Sequence, residues 1–140
     1  MVEPKQSAAR DVKRRRPTVL VVDDSPEAQV VLRENLEDAG YEVQIAANGR
    51  DALALLAGQT TPHLIVVDLV MPVMGGVELV EVLRSYRRLA LIPVLLVSGV
   101  DDCPDELRGG LVRYLRKPLR RAELLGHVAE LVGSTPVPER

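Results

Sequence analysis

Short apolar runs and helix-period stripes alternate along this chain. Residues 18–22 (TVLVV), 43–46, 64–67 (LIVV), 94–97 (VLLV) and 111–115 are four or five residues long and rich in Val, Leu and Ile, which is the pattern of strands. The first, third and fourth runs lack the alternation of a half-exposed strand, so they are expected in the middle of a sheet covered on both faces. Between them lie helical patterns. Ser25 ahead of Pro26 and Glu27 combines an N-cap, a first-turn proline and an acid near the positive helix end, and Gly40 supplies a left-handed stop. Asn48, with Asp51 three residues on, opens a second helix that ends near Gly58. A third is expected from Gly76 or Val77 to Leu89, with Val77, Val80, Leu83 and Leu89 facing inward, and Leu124, Leu125, Val128, Leu131 and Val132 stripe a last one.

This alternation predicts an α/β fold, a parallel sheet with helices on both faces. Ligands of such sheets collect at the carboxyl ends of the strands, so those ends are the places to look for chemistry.

Composition bounds the answer further. A chain of 140 residues with 46% apolar and 27% charged residues fits one globular domain, and without Trp or Phe its core must be built from Val, Leu, Ile and Ala. The net charge of -2 hides an asymmetry: residues 1–17 carry six Lys and Arg against two acids, so the remainder stands at -6. The expected organisation is a disordered basic tail at 1–16, a domain at 17–132 and a flexible tail at 133–140. An acidic body gives no pull toward nucleic acid, and the basic tail reads as a solvated arm. A single cysteine, Cys103, excludes an internal disulfide and fits a reducing compartment, and no apolar run is long enough to span a membrane. The expected setting is cytoplasmic.

Candidate chemistry sits at the strand ends. Asp23 and Asp24 close the first run and Asp68 closes the third. Three carboxylates converging in a half-buried crevice repel one another unless a cation neutralises them, and hard oxygen ligands of this kind suit Mg2+. Ser98 follows the fourth run and Lys117 the fifth, which brings a hydroxyl and an ammonium to the same edge. Acids, metal, hydroxyl and lysine together suit a phosphoryl group, with Asp68 as its acceptor.

The residues VVDDSP at 21–26, LIVVDLVMPVMGG at 64–76, LLVSG at 95–99 and YLRKP at 114–118, taken in order, resemble the receiver domain of two-component response regulators. The likeness covers roughly residues 17–132. It implies a flavodoxin-like doubly wound sheet of five parallel strands in the order 2-1-3-4-5. It further implies that Asp68 takes a phosphoryl group from a histidine kinase or phosphotransfer protein, and that Asp23, Asp24 and Asp68, with the backbone carbonyl of Val70, hold Mg2+. Lys117 resembles the lysine that contacts the phosphoryl group, followed by a bond to Pro118 that is typically cis. Ser98 resembles the switch hydroxyl and Tyr114 the switch aromatic. Such a module catalyses its own phosphorylation and signals by phosphorylation-dependent protein-protein interaction, with no independent substrate. Its downstream target is expected to be another protein.

Two departures from that pattern carry expectations of their own. Ser98 and Lys117 are 19 residues apart, a short interval that leaves the fourth crossover, 100–110 with Pro104 and two glycines, room for one or two helical turns. The expected fourth helix is therefore shortened or irregular. Val70 and Val100 beside the acceptor and the switch hydroxyl are apolar and offer nothing to orient a water, so the phosphoryl group is expected to persist. Nothing after residue 132 reads as an output domain, which leaves a protein that docks to partners or a receiver from a longer regulator or hybrid kinase.

The same residues bear on two other functions. An aspartyl-phosphate hydrolase would place its second acid two residues after the first, where this chain has Ser25 beyond an adjacent pair. A pseudo-receiver that docks without phosphate is the alternative suggested by the short fourth helix. His63 and His127 read as turn and helix-face residues, Cys103 as an incidental thiol, and Met71 and Met74 as packing. Pro72 and Gly75 are expected to shape the turn that presents the Val70 carbonyl.

Overall fold

In a computed structural model, which describes residues 16–58, 61–71, 73–99, 107 and 111–133, the alternation resolves into five strands and four helices. They follow in the order β1 (Thr18–Val22), α1 (Pro26–Asp38), β2 (Glu42–Ala46), α2 (Gly49–Leu56), β3 (Leu64–Asp68), α3 (Gly76–Ser85), β4 (Val94–Ser98), β5 (Val112–Arg116) and α4 (Arg121–Gly133). The sheet is parallel throughout, with strand order β2-β1-β3-β4-β5, as the receiver resemblance implies.

Residue pattern explains the layers. Leu20, Val22, Ile65, Val67, Val94 and Leu96 face one core shared with α2 and α3, whereas Val19, Val21, Leu64, Val66, Leu95 and Val97 face another shared with α1 and α4. Central strands buried on both faces have no polar side to show, so β1, β3 and β4 read as unbroken apolar runs. At the sheet edges, β2 and β5 retain Glu42 and Arg116 as exposed residues.

Local signals act where they were expected. Ser25 Oγ accepts the Ala28 N–H at 3.2 Å and Asn48 Oδ1 accepts the Asp51 N–H at 2.8 Å, so each side chain satisfies a donor that its helix leaves open. Helix α1 ends with Gly40 at φ 100, the Gly40 N–H donating to the Glu37 carbonyl and the Tyr41 N–H to the Leu36 carbonyl. That is the paired closure available to a left-handed residue after a helix.

The third helix is shorter than its apolar periodicity suggests. It stops at Ser85, whose hydroxyl donates back to the Val82 carbonyl at 2.6 Å, and Tyr86 takes extended backbone. Leu89 still reaches the core, but from a 3-10 turn at Leu89–Leu91, so one inward stripe is shared by two elements. The strands also shift by one residue at their ends: Asp68 and Ser98 are the last residues of β3 and β4, and β5 runs from Val112 to Arg116. Gly133, placed in the tail by sequence, is the last residue of α4.

The tails at 1–15 and 134–140, Pro72, Val100, Cys103, Pro104 and nearly all of the fourth crossover lie outside the described residues. Leu107, the exception, is fully buried in the α2–α3 core, and its carbonyl accepts from Arg84 Nη2 at 2.9 Å. Among the described residues no helix is long and apolar enough to cross a membrane.

A candidate metal site at the strand ends

Register brings the site together. Val22 pairs with Val67, so Asp23 leaves β1 beside Asp68 at the end of β3. Asp68 in turn pairs with Val97, and Ser98 with Arg116, so Ser98 and Lys117 arrive at the same edge. The Lys117 N–H donates to the Ser98 carbonyl at 2.8 Å, which extends the ladder one residue past β5, and the following Lys117–Pro118 bond is cis.

The three acids converge. Asp23, Asp24 and Asp68 each offer a carboxylate oxygen, and these atoms lie within 4.8 Å of one another. They differ in burial: Asp23 is only 3% exposed, Asp68 is half-buried and Asp24 faces solvent. Lys117 Nζ stands 3.6 Å from Asp68 Oδ2 and is the ammonium of the cluster.

Burial pushes the Asp23 carboxyl above its ordinary range, opposed by the Ser25 N–H that donates to Oδ1 at 2.9 Å. The neighbouring charges divide in the same way, Asp68 and Asp24 raising it and Lys117 lowering it. The cluster is thus short of positive charge. A cation is the species that corrects this, and an all-oxygen donor set of carboxylates fits Mg2+, which is held by one or two carboxylates and keeps several waters.

The loop after Asp68 is shaped by close packing. The Val70 N–H faces Asp68 Oδ1 at 3.3 Å, and Val70 itself is 67% exposed beside the acid. Gly75 caps α3 and Gly76 follows, its N–H donating to the Leu69 carbonyl at 3.0 Å. A Cβ on Gly76 would meet Leu69 Cα at 2.9 Å and the Asp68 carbonyl at 3.0 Å, so only glycine lets helix α3 start against the acid's own backbone. Met71 and Met74 pack against the α2–α3 core.

Ser98 is buried at 2% exposure, and Tyr114 packs half-buried against the α2–α3 core from β5. The two histidines stand elsewhere and have backbone or side-chain partners: His63 Nδ1 accepts the Thr18 N–H at 3.1 Å, and His127 Nδ1 lies 3.1 Å from Arg113 Nη1. A residue that sequence reasoning passed over is Gln29, whose amide donates to the Asp23 carbonyl at 2.6 Å. Its one signal is position, in the first helical turn after a strand-end acid.

Comparison with known proteins agrees with this architecture. Residues 19–129 match the family model described as the response regulator receiver domain. The chain is 38% identical over 122 residues to the DNA-binding dual master transcriptional regulator RpaA of Synechocystis sp., across 85% of this chain and 50% of that protein. It therefore spans half the length of that relative. Among solved structures it is similar to the signal receiver domain of a signal transduction histidine kinase from Syntrophus aciditrophicus, with a TM-score of 0.78 and 33% identity over 88% of this chain and 95% of the other. It is also similar to the receiver domain of a sensor histidine kinase from Pseudomonas aeruginosa PAO1, with a magnesium ion coordinated in its active-site cleft (TM-score 0.73, 27% identity, 85% of this chain and 99% of the other).

Proposed function

Because the chain belongs to the response regulator receiver family, we propose that it accepts a phosphoryl group on Asp68 and signals by a phosphorylation-dependent change in protein contacts. The observation that carries this reading is the meeting of Asp68, two further acids, Lys117 and Ser98 at the ends of four strands.

The step is a phosphoryl transfer. An Asp68 carboxylate oxygen attacks phosphorus, an O–P bond forms as the N–P bond of a phosphohistidine breaks, and the imidazole leaves with the electron pair and takes a proton from solvent. Asp23, Asp24 and Asp68, with the Val70 carbonyl, would hold Mg2+, which supplies positive charge for the phosphoryl oxygens. Lys117 offsets the charge on a phosphoryl oxygen from the other side, and the Ser98 hydroxyl donates to another. Turning of Ser98 toward the phosphoryl group leaves space for Tyr114 to move inward from β5, and that displacement is the signal to a partner.

The cavity that reaches Asp23, Asp68 and Lys117 beneath α1 holds about 90 Å³, well short of the roughly 300 Å³ at which small-molecule sites begin. This supports a group presented by another protein, a histidine kinase or phosphotransfer protein, over a buried metabolite. The exposed, apolar Val70 beside the acceptor supports a phosphoryl group that persists, since it orients no water. A setting in the cytoplasm fits such a partner. The test is intact mass after incubation with acetyl phosphate. A gain of one phosphoryl group that requires Mg2+ supports the proposal, and no gain moves the function to phosphate-independent docking.

A further inference from the structure

The acidic pair leaves β1 with Asp23 held at three atoms. Its N–H donates to the Ala46 carbonyl of β2 at 3.0 Å, its Oδ1 accepts from Ser25, and its carbonyl accepts from Gln29 Nε2 at 2.6 Å. The first two contacts fix the main-chain nitrogen and the side chain. The third fixes the carbonyl of the peptide that joins Asp23 to Asp24. A carbonyl has no proton to give, so the contacting atom of Gln29 is its NH2 group and the orientation of the amide is determined.

Gln29 is well placed to act as a fixed post. It lies in the first turn of α1, where its own N–H donates to the Ser25 carbonyl at 2.9 Å. Asp24, by contrast, faces solvent, so the direction of its carboxylate depends on the plane of the peptide before it. A turn of that plane would carry the Asp24 carboxylate away from those of Asp23 and Asp68, whose oxygens lie within 4.8 Å of its own.

We propose that Gln29 is a positioning residue for the acidic pair: by donating to the Asp23 carbonyl it holds the Asp24 carboxylate beside Asp23 and Asp68, and so sets the affinity of the site for Mg2+. This rests on the reading of the three acids as the Mg2+ site of a receiver. Groups that orient a metal's ligands commonly contribute 10-fold or more in affinity, so the effect is measurable.

The experiment is a calorimetric Mg2+ titration of the full chain without any phosphodonor, comparing wild type with Gln29→Met and Gln29→Glu. Methionine keeps the length and loses the donor. Glutamate keeps the shape, loses the donor and adds a negative charge near the site, which by Coulomb attraction alone would tighten Mg2+ binding. Positioning predicts weaker binding in both variants, by about 10-fold, with the glutamate moving against its charge. Melting temperatures recorded alongside separate the two roles, since a purely structural bond would lower stability and leave the Mg2+ affinity of the folded protein unchanged. Affinities within twofold of wild type in both variants, or tighter binding by Gln29→Glu, would overturn the role of Gln29 and leave the Mg2+ site standing. Absence of Mg2+ binding by the wild type would overturn both.

Discussion

Lys117 Nζ lies 3.6 Å from Asp68 Oδ2 although their strands are not neighbours, because β4 stands between them and ends level with both. The pair is the product of register in two ladders, Asp68 against Val97 and Ser98 against Arg116. Lys117 is partly exposed, so its contribution belongs to charge in the reaction more than to stability. Lys117→Ala is expected to slow phosphorylation by acetyl phosphate by roughly 100-fold, the scale for losing one preorganised charge at a reacting centre. Mg2+ affinity should hold or tighten, because a competing cation has gone. Weaker Mg2+ binding in this variant would show that Lys117 organises the acids instead.

Asp23 makes the metal-free protein sensitive to pH. Burial, with help from Asp68 and Asp24, raises its carboxyl above the ordinary 3.8, so the folded chain holds this proton more tightly than the unfolded chain. Stability from this group is therefore present at low pH and declines as pH rises from the unfolded value through the raised folded one. At neutral pH, Asp23→Asn keeps an acceptor for the Ser25 N–H and removes the charge. Its melting temperature without metal should exceed that of wild type, at roughly 4 °C for each kcal/mol of repulsion relieved. Mg2+ should then add nothing further. A lower melting temperature would mean that ionised Asp23 is already compensated without a cation.

Val73 carries strain. It is 70% exposed at φ 69, the left-handed region that a β-branched residue rarely enters. Val73→Asn removes the branching in a residue that tolerates this region, and is expected to stabilise the protein by about 1 kcal/mol in chemical denaturation. No gain would show that contacts of the valine side chain offset the strain.

Gly76 presents opposing effects of different size. Alanine is the better helix former by up to about 1 kcal/mol, yet its Cβ would press on Leu69 Cα and the Asp68 carbonyl, both backbone and unable to swing aside. Gly76→Ala is expected to destabilise by about 1–3 kcal/mol and to slow phosphorylation, since the acceptor's own peptide must shift. Unchanged denaturation midpoint and rate would contradict the packing described for this turn.

Much of this was legible in the residues, and the limits have physical causes. Unbroken apolar runs mark the three central strands because burial on both faces removes polar positions; the acids and the serine stand where those runs end, and the lysine stands just past the edge strand β5. Periodicity carries helix α3 past its true end at Ser85 because it reports which side chains reach the core, and Leu89 reaches it from a 3-10 turn as well as it would from a helix. The left-handed Val73 left no trace, since valine is the residue that region disfavours. Gln29 was missed because its donor acts on a backbone carbonyl, and backbone partners leave no pattern in side-chain identity.

Treating the protein with acetyl phosphate and Mg2+, reducing with borohydride and mapping the product by peptide mass spectrometry locates the phosphoacceptor, which is expected to be Asp68. Borohydride converts an aspartyl phosphate to homoserine, so homoserine at position 68 alone is the expected result. Homoserine at Asp23 or Asp24, phosphate retained on Ser98, or no conversion at all would contradict the assignment.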